Sequence, residues 1–247
     1  AYTWGDALFV VLDVYRDCDV NEKPKNWEWT LGKDQYDWFR KTLETSKAPL
    51  KFVFAHHNRG QGRGGIEPAR GYEWGGYGNN GSGAWEFDQM RPGWGKPIHQ
   101  LMADNGVQVF FQGHDHLFAW EKKDGVVYQE VPMPSDTSYK IGVTDNGDAY
   151  TDVILDGSGH LRLTIENRCA TIDYVAAYLP KDTTRVKKNG AVRYSYQVGA
   201  CSVPTQTPGA PAADAFTLAP NPATQSVTVT LNDVAQQDQK LEIMDVH

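Results

Sequence analysis

Three short apolar runs constrain this chain more than any other feature. They are Ala7-Leu8-Phe9-Val10-Val11-Leu12, Lys51-Phe52-Val53-Phe54-Ala55 and Val107-Gln108-Val109-Phe110-Phe111. Each is the length of a strand and apolar almost throughout, as strands buried on both faces are. Between the first two, residues 33–46 place Tyr36, Phe39 and Leu43 on one helical face. Between the last two, residues 97–104 read as a short helix, with Pro97 at its start and Asn105-Gly106 at its end. Strand, helix, strand, loop, helix, strand predicts an α/β layered domain with partly parallel pairing. Shorter strands are expected over 126–131, 151–155, 161–165 and 170–178, antiparallel and joined by turns such as Lys123-Asp124-Gly125.

The region from Arg59 to Gly95 holds 12 of the 24 glycines together with Tyr72, Trp74, Tyr77, Trp85 and Trp94. Flexible Gly/Ser linkers lack such aromatics, so it reads as an ordered lid or wall over a site, with Trp74 and Trp94 assigned to packing. Residues 1–200 are taken as one domain. Residues 201–215, with Pro204, Pro208 and Pro211, read as a linker, and 216–247 as the start of a small β-sandwich module built on the alternation Ser226 to Leu231. Both ends of the chain read as cut, and Ala1 to Asp6 lack the pattern of a signal peptide.

Composition removes several functions. The net charge is −7, with no basic stripe to engage a nucleic-acid backbone. No apolar run reaches the roughly 18 residues of a membrane span. A small phosphorylated substrate stays compatible, because a metal supplies local positive charge. The three cysteines are Cys18, Cys169 and Cys201. Either Cys169 and Cys201 close a loop in an exported protein, or all three are buried thiols.

The histidines carry the chemistry. His56 and His57 end one buried run, and His114 and His116 follow another. Ligands bind beyond the carboxyl ends of strands in open α/β sheets, and neutral imidazole is a good ligand for transition metals. Gly113 is expected to make room where the backbone nears the metal. His57 has three readings: a bond to a substrate oxygen, orientation of its neighbour, or packing. Arg59, close after the histidine pair, is the arginine favoured for a substrate phosphate, ahead of Arg63, Arg70 and Arg91. His99, His160 and His247 are assigned no function.

Phe54-Ala55-His56-His57, followed by Gly113-His114-Asp115-His116, resembles the last two metal motifs of the calcineurin-like metallophosphoesterases, a group that includes the purple acid phosphatases. Trp4 to Asp13 resembles the strand after that family's Asn-His motif. The likeness covers about residues 1–165. It implies the C-terminal half of a four-layer α/β/β/α sandwich with two metal ions (Fe, Zn or Mn). His56 and His114 would bind one ion and His116 the other; His57 and Arg59 are catalytic candidates by their place in the sequence beside His56, not through the resemblance. In the family a bridging hydroxide attacks phosphorus while both ions neutralise the phosphoryl oxygens. The family's earlier motifs, which bring the bridging aspartate, the asparagine ligand and the general-acid histidine, have no counterpart here, and Asp6 and Asp13 do not replace them. Activity is therefore expected of a longer parent protein rather than of these residues alone.

Leu218-Ala219-Pro220-Asn221-Pro222 and the strand after it resemble the start of the C-terminal sorting domain of the type IX secretion system of Bacteroidetes. That implies a secreted or cell-surface protein whose C-terminal module engages secretion machinery. The first expectation is thus a secreted metal-dependent phosphoesterase acting on small phosphorylated substrates. The second is a surface carbohydrate- or ligand-binding protein, with the aromatic region as its platform and a structural or residual metal site.

Overall fold

The computed structural model describes residues 1–17, 25–58, 63–141, 149–201, 216–219 and 228–231. They fall into two compact units, 1–202 and 203–247. In the first unit a seven-stranded mixed sheet runs in the order β1-β2-β3-β4-β6-β5-β7. Its strands are β1 (Tyr2–Trp4), β2 (Ala7–Val11), β3 (Leu50–Phe54), β4 (Val109–Gln112), β5 (Phe118–Lys123), β6 (Val126–Glu130) and β7 (Val153–Leu155). The pairs β2–β3, β3–β4 and β4–β6 are parallel, and β1 and β5 join antiparallel.

Side-chain alternation sends each strand to two cores. Leu8, Val10, Val53, Phe110 and Tyr128 enter one, with Tyr36, Phe39 and Leu43 of α1 (Lys33–Thr45) and Ile98, Leu101 and Met102 of α4 (Ile98–Asp104). Ala7, Leu50, Phe52, Val109, Phe111 and Val127 enter the other. That second core is closed by a three-stranded sheet of β8 (Gly159–Glu166), β9 (Cys169–Ala176) and β10 (Val192–Gly199), through residues such as Leu163, Ile172 and Val198. Each fully buried large side chain contributes about 1.5–3 kcal/mol. The layers are helix, sheet and sheet; a second helical layer, as in the four-layer expectation, is not present among the described residues.

In the aromatic region Trp74 and Trp94 pack inward as expected. Tyr72 and Trp74 of α2 (Tyr72–Gly75), Phe87 of α3 (Phe87–Met90), and Trp94 are buried in the helix-side core. Residues 63–95 are thus largely part of the helical layer, because burying these rings on the sheet outweighs leaving them as a lid. Tyr77 and Trp85 stay exposed, edge to face at 5.3 Å. The shorter strands pair antiparallel as expected in β5–β6, β5–β7 and β8–β9, and depart only where β6 runs parallel to β4. The sequence reading has no strand at β1, β5 or β10.

Two polar ties bind the helices to the sheet. Lys51 Nζ donates to Leu43 O and Asn105 O at 3.0 and 2.9 Å, at the ends of α1 and α4. Buried His99 contacts the Tyr128 hydroxyl and Asp124 Oδ2, both at 2.8 Å, and burial holds its pKa below the usual imidazole value. These contacts join α4 to β6 and to the turn after β5.

Cys169 and Cys201 form a disulfide across a sequence separation of 32. A loop of that size is stabilised by about 2–4 kcal/mol when cross-linked. Cys169→Ser is therefore expected to lower the unfolding free energy by that amount in denaturant titration. An unchanged midpoint under non-reducing conditions would refute the cross-link.

In the second unit, β11 (Phe216–Ala219) and β12 (Thr228–Leu231) form an antiparallel hairpin. The expected linker lies, apart from Cys201, outside the described residues, as does Arg59.

Candidate metal centre

The strands β3 and β4 are hydrogen-bonded neighbours, and the ladder continues past both ends. Ala55 N–H donates to Phe111 O at 3.1 Å, and Gly113 N–H donates to His56 O at 2.8 Å. The two loops therefore leave the sheet side by side. They carry His56, His57 and His114 into one cluster whose candidate ligand atoms all lie within 4.8 Å of one another. Ring centroids are 5.0 Å apart for His56–His57, and 5.1 Å for each of the pairs with His114.

His56 Nε2 lies 3.1 Å from His114 Nδ1. Around a tetrahedral zinc with Zn–N near 2.0–2.1 Å, ligand nitrogens stand roughly 3.3 Å apart. Three imidazoles are a donor set suited to a transition-metal ion, and the spacing of the His56–His114 pair fits two of its ligands. Burial is the first cause that holds the His114 pKa below the usual imidazole range, and the neighbouring His56 and His116 act in the same direction. The neutral ring is the form that binds a metal.

His57 is buried, and its Nε2 lies 2.8 Å from the hydroxyl of Tyr15, which follows β2. The Tyr15 ring also approaches that of His56, at 6.1 Å. Such a partner fixes the orientation and tautomer of an imidazole. Asn58, fully buried, donates to Gly65 O at 2.6 Å and anchors the start of the loop.

His116 is half-buried two residues on and is not a member of the three-histidine cluster. Both His114 and His116 have positive φ, +91° and +57°. Such backbone costs about 1–3 kcal/mol per residue and gathers at functional sites. Gly113 takes no such conformation, and a Cβ there would meet only His56 O at 3.8 Å. The unusual backbone of this turn belongs to the histidines.

Among the other arginines, Arg63 contacts Asp115 at 3.2 Å, and its side chain stays 40% exposed beside the cluster. Arg91 is held by Glu73 and two tryptophans, away from any phosphate role. His160, on β8, is exposed, and His247 lies outside the described residues. Sequence reasoning missed Tyr15 and the partners of Asp115. A tyrosine two residues beyond Asp13 carries no motif, and only the fold brings it to His57.

No known protein-family model matches the chain, and no curated protein matches it in sequence. Among solved structures, PhoD is similar at 18% identity with a TM-score of 0.46, covering 83% of this chain and 44% of that one. GAP50, the anchor in the inner membrane complex of Plasmodium, is similar at 14% identity and a TM-score of 0.46, covering 78% of this chain and 49% of that one. A predicted phosphoesterase from Streptococcus pneumoniae gives 10% identity and a TM-score of 0.25, covering 77% of this chain and 96% of that one. The chain spans about half the length of the first two. At these scores none of the likenesses bears on function. No helix among the described residues is long and apolar enough to cross a membrane.

Proposed function

We propose that this chain is the histidine-bearing half of a secreted or surface-attached metal-dependent phosphoesterase that hydrolyses small phosphorylated substrates, phosphomonoesters first. The observation that carries this reading is the convergence of His56, His57 and His114 at the ends of two adjacent parallel strands. His56 and His114 hold one ion in this reading. His116, with carboxylate and asparagine ligands from outside these residues, serves a second. Bound cations would supply a nucleophile at neutral pH and neutralise charge on the phosphoryl group.

The chain's own residues do the positioning. Tyr15 orients His57 through its Nε2, and burial lowers the His114 pKa, in the direction of the neutral ring that a metal requires. Arg63, and Arg59 by its place in the sequence, are assigned to phosphate oxygens. The Cys169–Cys201 disulfide supports an oxidising compartment. The C-terminal module is proposed to engage secretion machinery.

The test is metal analysis and p-nitrophenyl phosphate hydrolysis by the full-length parent protein. Stoichiometric Fe, Zn or Mn together with chelator-sensitive hydrolysis is expected. A metal-loaded protein inert towards phosphomonoesters and diesters would overturn the reading.

A further inference from the structure

Between the two histidines with positive φ lies Asp115, which is 2% exposed. It is tied through both its backbone and its side chain. Its N–H donates to Glu130 Oε1 at 3.0 Å. Its carboxylate accepts from the Tyr150 hydroxyl at 2.8 Å, from Gly64 N–H at 3.1 Å and from Arg63 Nη1 at 3.2 Å. Gln112 Nε2 donates to Gly64 O at 2.9 Å, so the strand that leads into the turn grips the same segment.

Glu130 is itself fully buried at the end of β6. It is in parallel register with Gln112, level with the start of the turn. The Tyr150 hydroxyl stands between the two carboxyl groups, 2.8 Å from Asp115 Oδ2 and 3.0 Å from Glu130 Oε2. One hydroxyl proton cannot serve two carboxylates at once. A protonated Glu130 resolves the conflict: its O–H donates to the Tyr150 oxygen, and Tyr150 keeps its own proton for Asp115. Burial pushes the Glu130 carboxyl well above its usual range, in the same direction.

We infer that Tyr150 and Glu130 are positioning residues that clamp Asp115 and so hold the 113–116 turn with His114 facing His56 and His57. Its consequence for metal binding rests on the metal-centre reading above. The clamp itself does not.

The test uses the whole chain and three variants: Tyr150→Phe, Glu130→Gln and Glu130→Leu. Two quantities are measured: hydrogen exchange at the Asp115 amide in metal-free protein, and Zn(II) affinity by competition with a chromophoric chelator. Co(II) absorption reports the ligand geometry. Glutamine keeps an acceptor for Asp115 N–H and a donor for the Tyr150 oxygen, so Glu130→Gln is expected to match the parent in both quantities. Tyr150→Phe, which conserves volume, and Glu130→Leu are expected to speed exchange at Asp115, alter the Co(II) spectrum and weaken Zn(II) binding by about 10–100-fold.

Unchanged exchange in Tyr150→Phe overturns the clamp. Faster exchange with unchanged Zn(II) affinity overturns the positioning role. A Glu130→Gln variant as impaired as Glu130→Leu overturns the hydrogen-bond assignment. If the parent chain binds no Zn(II), the metal-centre reading fails, and Asp115 exchange alone then decides the clamp.

Discussion

Replacing His114 with alanine is expected to weaken Zn(II) binding by more than about 100-fold, since loss of an outer partner of a ligand alone costs 10–100-fold. His114 is the shared member of the cluster: it meets His56 at 3.1 Å and packs edge-on to His57. Its removal leaves the cluster with two imidazoles, both from the loop after β3. If the phosphoesterase proposed above is the function, the same change abolishes phosphate-ester hydrolysis in the full-length protein. His160→Ala, at an exposed position of β8, is the control. Isothermal titration with Zn(II) checks the first effect, and equal affinities for the two variants would refute the assignment of His114.

Arg91→Met is expected to lower the unfolding free energy by about 3–5 kcal/mol, the cost of breaking a buried ion pair and stranding its partner. Arg91 Nε donates to Glu73 Oε2 at 2.7 Å, and both side chains are largely buried, at 12% and 3% exposure. The guanidinium also lies over the rings of Trp27 and Trp94, each at 5.3 Å. Burial pushes the Glu73 carboxyl up even with Arg91 present, so removing the arginine leaves an acid with little option but to protonate. Glu73→Gln in the Arg91→Met background is expected to recover part of the loss. Thermal and denaturant unfolding measure both, and a cost under 1 kcal/mol for Arg91→Met would refute the account.

The strands at the heart of the sheet are legible in sequence because a strand buried on both faces must be apolar throughout, as Phe52-Val53-Phe54 and Val109-Phe110-Phe111 are. The approach of His56 to His114 follows from that, since adjacent parallel strands deliver their C-terminal loops to one place. Other features depend on side chains distant in the chain. Tyr150 reaches Asp115 across 35 residues and Tyr15 reaches His57 across 42. A single tyrosine carries no periodicity that could announce either contact. The aromatic content of 63–95 shows that the region is ordered but not which surface it covers. Trp74 and Trp94 turned inward, whereas Trp85 did not. The charged residues in Phe118–Lys123 hide a strand in which Glu121 is fully buried and satisfied by Ile66 N–H and Thr151.

The bond from Gly113 N–H to His56 O makes the two loops one mechanical body. On the metal-centre reading proposed above, an arriving cation would meet donors already placed by the sheet, so little chain entropy would remain to be lost on capture. Metal uptake should then leave the backbone around 56 and 113 almost unmoved, and the rigidity of the socket, rather than induced closure, would set how finely it discriminates one ionic radius from another.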